Sequence, residues 1–209
     1  MTVTLHKGDL PAGLDFGSAV AVDTETQGLS LVRDKLCLVQ LSAGDGNAHI
    51  VQMNRETYDA PNLKAVLGNP KIEKIFHFAR FDVAILGRDL GADLNPIFCT
   101  KIASGLVRTY TDRHGLKDLT KELLNVDLSK QQQSSDWASD ELSKAQLDYA
   151  ASDVLYLHQL RNILMARLLR EDRLDMARHC FDFIPTRCQL DLNGWDGVDI
   201  FSHRMRRGD

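Results

Sequence analysis

The feature that most constrains this chain is a short apolar run that ends in two carboxylic acids, at residues 20–26. Its small and β-branched residues are typical of a buried strand. Because residues i and i+2 of an extended chain point to the same side, Asp23 and Glu25 are expected to reach one point at the strand's end. The pair is either part of a solvated turn or a site for a hard cation such as Mg²⁺ or Mn²⁺. A cation is one explanation because two carboxylates this close repel each other unless a positive charge lies between them.

Composition narrows the class of protein. The 209 residues are 44% hydrophobic, which suits one α/β domain over 1–209. The net charge of −4 argues against a protein that coats long nucleic acid, but it leaves a short or end-bound nucleic-acid substrate open. The four cysteines form no C-x-x-C pair, and no apolar run reaches membrane-spanning length. We therefore expect a soluble, cytoplasmic protein with reduced thiols.

Hydrophobic periodicity predicts a mixed sheet with helices. Strands are expected at 3–6, 20–26, 35–42, 48–52 and 72–77, and helices at 61–67, 79–90, 100–109, 116–124 and 144–169. Short turns join the second, third and fourth strands into an antiparallel meander, after which strands and helices alternate. Ser143 is expected to cap the last helix. Apolar residues beyond Pro185 predict that the segment 185–209 packs on the domain or on a neighbouring subunit.

Further residues carry groups that could join the two acids. Asp82 falls near the start of the helix at 79–90, where the helix dipole tolerates a carboxylate. Tyr149 and Asp153 are four residues apart in the last helix and share one face. Each also has an ordinary interpretation, as a first-turn acid or a surface pair. A local basic run is either a solvated face or a phosphate contact, and it comprises Arg108, Arg113, His114 and Lys117.

The order of the acidic residues resembles the three motifs of the DEDD superfamily of 3′→5′ exonucleases. Asp23 and Glu25 match the first motif, Asp82 matches the second, and Tyr149 with Asp153 matches the third. The tyrosine is typical of the DEDDy branch. The resemblance is more specific than any single motif, because it covers about two thirds of the chain.

Two departures refine this resemblance. The segment 133–137 resembles the Q-x-S-D-W element of RNase D, but we do not expect the C-terminal helical domains of RNase D within these 209 residues. Phe78 also stands where the second motif often has Asn. Both features are similar to compact RNase D-like enzymes of the nanoRNase C (NrnC) type, which end in a segment like residues 190–195.

The resemblance implies an α/β, RNase H-like (DnaQ-like exonuclease) fold with a mixed five-stranded sheet flanked by helices. It also implies a metal-dependent 3′–5′ exoribonuclease that hydrolyses diribonucleotides and very short RNA to 5′-mononucleotides and assembles as a homo-octamer. An RNase D-like exonuclease that trims longer structured RNA, or that also degrades single-stranded DNA, stays open as an alternative. A non-catalytic nucleic-acid-binding protein is a third interpretation.

The resemblance assigns a catalytic role to five residues. Two Mg²⁺ or Mn²⁺ ions are expected on the four carboxylates, with Asp23 bridging the ions, Glu25 and Asp153 completing one site, and Asp82 supporting the other. Tyr149 is expected to orient the attacking water or to accept its proton. Because an ordinary tyrosine pKa is near 10, orientation is the safer role.

Substrate contacts are expected from residues close to these motifs, namely Thr24, Gly28, Leu29, His77, Phe78 and Phe81. Leu29 is either a wedge against the terminal bases or a packing residue. Phe78 and Phe81 could stack on a base, although Phe81 could equally face the core. His77 could donate a hydrogen bond to a phosphate.

Overall fold

The computed structural model describes residues 2–129 and 131–203. The strands are β1 (Val3–Lys7), β2 (Ala19–Thr26), β3 (Leu36–Ser42), β4 (Ala48–Gln52), β5 (Glu73–Phe76) and β6 (Ile97–Cys99). The helices are α1 (Pro61–Leu67), α2 (Ala79–Leu90), α3 (Thr100–Val107), α4 (Leu116–Leu124), α5 (Lys144–Leu155), α6 (Leu157–Arg170) and α7 (Leu174–Leu190). A wider helical turn, Asp191–Trp195, continues α7.

The strands form one mixed sheet in the order β1-β4-β3-β2-β5-β6. β2, β3 and β4 make the predicted antiparallel meander, whereas β1–β4, β2–β5 and β5–β6 pair in parallel. The α/β class and the mixed sheet are confirmed, but the sheet has six strands rather than five. The strand that was not predicted is β6, whose three buried apolar residues are too few to show any periodicity.

Helices cover the sheet and position the end of β2. A large apolar core joins the sheet to α1, α2, α3, α6 and α7. α5 packs on β2, β3 and β4 through fully buried alanines, Ala150 and Ala151. Because these side chains are small, the helix lies close to the strands. A second apolar cluster under α5 contains Leu38, Ile50 and Trp137.

The predicted helix at 144–169 is two helices that meet at Tyr156. Its start is as predicted, because the Ser143 hydroxyl accepts a hydrogen bond from the Gln146 backbone N–H, and the Gln146 side-chain oxygen accepts one from the Ser143 backbone N–H. The break separates α5, which packs on the sheet, from α6, which packs on α3 and α4. A continuous apolar pattern runs through both helices, so periodicity alone does not show the break.

The C-terminal segment is helical well beyond Pro185, which lies inside α7. After α7, the buried Asp191 carboxylate accepts hydrogen bonds from Arg80 at 2.5 and 2.7 Å and from Arg187 at 2.9 Å. Arg80 belongs to the first turn of α2, so this ion network ties the end of α7 to α2. Residues 204–209 of the predicted segment lie outside the described residues. In the described part of the chain, no helix combines the length and apolar character that a membrane crossing requires.

Candidate active site

The two acids of the first motif lie at the end of β2, where α5 packs on the sheet. Asp23 stands opposite Gln40 and Glu25 opposite Leu38 in the β2–β3 pair, so both acids project from one face. α5 brings Asp153 to the same place. Asp23, Glu25 and Asp153 each present one carboxylate oxygen, and these three oxygens all lie within 4.8 Å of one another. The structure thus gathers three of the four expected metal-binding carboxylates.

The fourth carboxylate, Asp82, lies in the first turn of α2, the helix that follows β5, and β5 is the parallel neighbour of β2. The chain leaves β5 and enters α2 through Phe78, whose φ of 67° is left-handed. Asp82 is 3% exposed and accepts a hydrogen bond from the Thr24 hydroxyl at 2.6 Å. Because Thr24 lies between Asp23 and Glu25, this bond holds the second motif against the first.

Burial raises the pKa of all four carboxyl groups. Burial brings the pKa of Glu25 to about 9, with further increases from the charges of Asp153 and Asp82. Burial likewise raises the pKa of Asp82 and of Asp153 to about 7. The pKa of Asp23 is raised well above its usual range, first by burial and then by the charges of the other three acids.

This donor set fits a hard divalent cation. Within residues 2–129 and 131–203, none of the four acids forms a salt bridge with a basic side chain. Clustered carboxylate oxygens without a basic partner are ligands suited to Mg²⁺ or Mn²⁺. The cluster therefore offers the donor set that a divalent metal requires, and the assignment of these four residues as its ligands stays a prediction.

Tyr149 lies one helical turn before Asp153 on α5. Burial, followed by the charges of Asp153, Glu25 and Asp23, raises the pKa of its phenol above the ordinary value. A raised pKa favours the protonated phenol at neutral pH, and a protonated phenol can donate a hydrogen bond. Its ring lies 6.0 Å from the buried ring of Trp137, measured between centroids, which holds the phenol at the edge of the acidic cluster.

A cavity of about 670 Å³ opens over this cluster. All eleven predicted site residues line it: Asp23, Thr24, Glu25, Gly28, Leu29, His77, Phe78, Phe81, Asp82, Tyr149 and Asp153. It is also lined by Lys117 of the basic run and by residues that the sequence did not assign to the site, among them Leu128, Gln133, Ser135 and Trp137. The Q-x-S-D-W element at 133–137 was the available signal for several of these.

The substrate-contact candidates differ in exposure. Leu29 is 87% exposed, so it does not pack in the core. Gly28 leaves room beside this turn for the Asp34 carboxylate, which would have to shift if residue 28 carried a Cβ. Phe78 is 43% exposed, with the Lys101 ammonium 4.1 Å from its ring centroid. Phe81 is partly buried and packs against the main core, although one part of it borders the cavity.

The basic run does not act as one surface. Arg108 is fully buried, forms an ion pair with Glu122 and donates to the Arg113 carbonyl at 2.7 Å. Its guanidinium therefore supports the loop before α4, and a phosphate contact by Arg108 is ruled out. Lys117, by contrast, lines the cavity.

Comparison with known proteins shows the family to which this chain belongs. The family model described as 3′-5′ exonuclease matches residues 9–169. The chain belongs to this exonuclease family. Ribonuclease D of Acidiphilium cryptum is 36% identical to this exonuclease over 156 residues, which are 75% of the chain. The match covers 39% of that relative, so the chain spans about two fifths of the length of the Ribonuclease D proteins it resembles.

Solved structures match the exonuclease over nearly its whole length. Brucella melitensis NrnC bound to pGG is 55% identical with a TM-score of 0.94, covering 98% of this chain and 100% of that one. Brucella melitensis NrnC with bound Mg²⁺ is 54% identical with a TM-score of 0.93 over the same shares. Escherichia coli RNase D is 26% identical with a TM-score of 0.73, covering 82% of this chain and 45% of that one. The resemblance to compact RNase D-like enzymes of the NrnC type and the DnaQ-like exonuclease fold are confirmed.

Proposed function

We propose that this exonuclease is a metal-dependent 3′–5′ exoribonuclease of the cytoplasm that hydrolyses diribonucleotides and very short RNA to 5′-mononucleotides. The observation that carries the proposal is the meeting of four carboxylates and the Tyr149 phenol on the wall of one cavity. That arrangement suits phosphodiester hydrolysis with two metal ions, in which charge on the attacking and leaving oxygens must be neutralised.

The size of the site and the net charge of the chain favour a short substrate. A cavity of about 670 Å³ lies in the range of sites that enclose a small ligand, which suits a nucleotide or two. The net charge of −4 provides little attraction for a long polyanion. The similar NrnC protein has been solved with pGG bound, which supports the same substrate class for this chain.

Each site residue has a proposed role in this reaction. Asp23, Glu25 and Asp153 would hold one ion, and Asp82 with Asp23 would hold the second. When bound, the ions supply an activated water and stabilise the developing negative charge. Tyr149 donates a hydrogen bond that orients the attacking water, and its raised pKa argues against a role as base at neutral pH.

The substrate is held by the rim of the cavity. Leu29 stands exposed at the mouth, where it can wedge against the terminal base. The half-exposed ring of Phe78 offers a face for base stacking, and Thr24 and Gly28 shape the floor beside the acids. Stacking does not depend on base identity, which suits an enzyme that clears RNA ends of any sequence.

The proposed assembly is a homo-octamer of single exonuclease domains, 1–209, with the segment 185–209 packing on the domain or on a neighbouring subunit. The resemblance to NrnC-type enzymes supports the ring. Exposed apolar side chains on α6, α7 and the following segment, Leu169, Met176 and Phe201, provide surface for subunit contacts. Light scattering should give about eight times the mass of one chain, and a monomer would refute this part of the proposal.

The similarity to Ribonuclease D favours a second candidate function, trimming of longer structured RNA or degradation of single-stranded DNA. The proposed function and this second function are distinguished by incubating the protein with a 5′-labelled diribonucleotide and with a long labelled RNA, each with Mn²⁺, with Mg²⁺ and with EDTA. Metal-dependent cleavage that prefers the dinucleotide supports the proposal. Preference for the long RNA supports the second function. Activity that survives Asp23→Asn would contradict both.

A further inference from the structure

The tautomer of His77 follows from its hydrogen bonds. The Thr100 hydroxyl lies 3.0 Å from the Phe76 carbonyl oxygen and 2.9 Å from His77 Nδ1. A carbonyl oxygen only accepts, so the single hydroxyl hydrogen of Thr100 points at Phe76. Toward His77 the hydroxyl oxygen is then the acceptor, and Nδ1 carries the hydrogen.

The other ring nitrogen of His77 is therefore an acceptor. A neutral imidazole has one N–H, so Nε2 keeps a lone pair. Burial, and after it the positive charge of Lys101, lowers the pKa of His77 to about 3, which keeps the ring neutral at physiological pH. In the part of the chain that the structure describes, no hydrogen bond to Nε2 is formed.

This acceptor belongs to the wall of the substrate cavity. His77 is partly buried and lines the cavity together with Phe78 and Asp82. With Nδ1 turned toward Thr100, Nε2 is the nitrogen available on the cavity side of the ring. Phosphate oxygens only accept hydrogen bonds, so a neutral Nε2 does not bind them, and the phosphate contact expected from the sequence does not fit this tautomer.

We propose that His77 Nε2 accepts a hydrogen bond from a ribose hydroxyl of the bound nucleotide and so makes the site selective for substrates that carry this hydroxyl. This inference rests on the proposed function. A nucleotide carries two kinds of donor, the ribose hydroxyls and the N–H groups of the base. The base donors differ among the four bases, whereas the hydroxyls are common to every ribonucleotide. Phe78 follows His77 in the chain and offers an aromatic face on which the base can stack. The sugar is then the part of the nucleotide that remains to contact His77.

The experiment compares kcat/KM for a ribose dinucleotide, for its 2′-deoxy analogue and for its 3′-deoxy analogue, with wild type and with His77→Phe. The wild type should prefer the ribose dinucleotide by about tenfold over the analogue that lacks the bonded hydroxyl, as one lost hydrogen bond implies. The analogue that is discriminated against identifies which hydroxyl is bound. In His77→Phe this preference should fall to near one.

Thr100→Val tests the tautomer without removing the imidazole. It deletes the acceptor of the Nδ1 hydrogen, so the ring can exchange tautomers and the ribose preference should decrease, whereas Thr100→Ser should retain it. Ring ¹⁵N NMR gives a readout that does not depend on activity, and the wild type should show the Nδ1–H form.

Three results would overturn the inference: an Nε2–H tautomer in the wild type, an equal loss on all three substrates in His77→Phe, and a preference that follows base identity instead of the sugar. If the wild type hydrolyses no dinucleotide, the proposed function fails, and the NMR result still decides the tautomer.

Discussion

Replacing Asp23 by Asn should make the metal-free protein more stable while it abolishes hydrolysis. Asp23 shares its surroundings with Glu25 and Asp153, whose oxygens lie within 4.8 Å, and no basic side chain in the described residues pairs with it. Two full charges about 4 Å apart repel by about 4 kcal/mol at an effective dielectric constant near 20. Partial protonation of the cluster reduces this repulsion, so we expect the free energy of unfolding to rise by about 2 kcal/mol in EDTA.

A bound divalent metal should make the wild type more stable than Asp23→Asn. A cation that binds only the folded protein stabilises it by about 2.7 kcal/mol at a hundred times its dissociation constant. The wild type should gain this stabilisation in Mn²⁺ or Mg²⁺, whereas Asp23→Asn has lost a ligand and should gain little. Urea unfolding followed by circular dichroism, in EDTA and in each metal, measures both effects.

The pH dependence of the metal-free protein has a definite sign. Carboxyl groups whose folded pKa is raised bind more protons in the folded state than in the unfolded chain, so stability falls as pH rises from about 4, the ordinary value, to about 9, the pKa of Glu25. In EDTA the wild type should therefore lose stability across this range, and Asp23→Asn should lose less.

The control is Asp112→Asn, because Asp112 is exposed and far from the cluster in sequence. It should leave stability unchanged within about 0.5 kcal/mol in both conditions. A wild type more stable than Asp23→Asn in EDTA, or one that no divalent metal stabilises, would refute the account of the acidic cluster as a repelling metal site.

Four other predictions concern single residues. Tyr149→Phe should lower kcat about a hundredfold with little change in KM, because the phenol orients water rather than binding substrate; an unchanged kcat in steady-state assays would exclude this role. Gln40→Leu should raise the free energy of unfolding by about 1 kcal/mol in urea, because neither polar atom of the buried Gln40 amide has a hydrogen-bond partner among the described residues. Lys74→Met should lower that free energy by about 2 kcal/mol, because the ammonium caps two loop carbonyls at 2.8 and 2.9 Å. Burial lowers the pKa of Lys74 to about 8, so between about pH 8 and 10 the unfolded wild type binds more protons than the folded wild type. The wild type therefore gains stability over this range, and the stability deficit of Lys74→Met should grow. Asp191→Asn should cost about 3 kcal/mol in the same assay, because two arginines lose their buried charge partner, and a cost under about 0.5 kcal/mol would contradict the importance of this ion network.

Much of the local structure could be predicted because its signals lie within each segment. The apolar run of β2, the capping box at Ser143 and the four-residue spacing of Tyr149 and Asp153 involve neighbours along the chain. The structure has these elements where the pattern places them. The sixth strand and the break at Tyr156 escaped prediction because β6 is only three residues long and the apolar pattern continues through the break.

The residues around the acids could be predicted only in part. The acids and Tyr149 stand in motifs with a fixed order, so their chemistry is visible in the sequence. The burial of Arg108 and the approach of Lys117 to the cavity depend on where α4 packs, and the basic run looks the same in either case. Only the folded protein distinguishes a structural arginine from a lysine that can reach substrate.

By itself, the sequence determined the α/β class, most of the strands and helices, and the set of carboxylates suited to a divalent metal, because periodicity and residue type act over short distances. The tertiary structure decided how these parts meet. It placed α5 close enough for Asp153 to join Asp23 and Glu25, and it set Thr100 against His77 so that one ring nitrogen became an acceptor. Such properties arise from contacts between segments distant in the chain, because charge repulsion, burial and hydrogen-bond direction depend on separations in space.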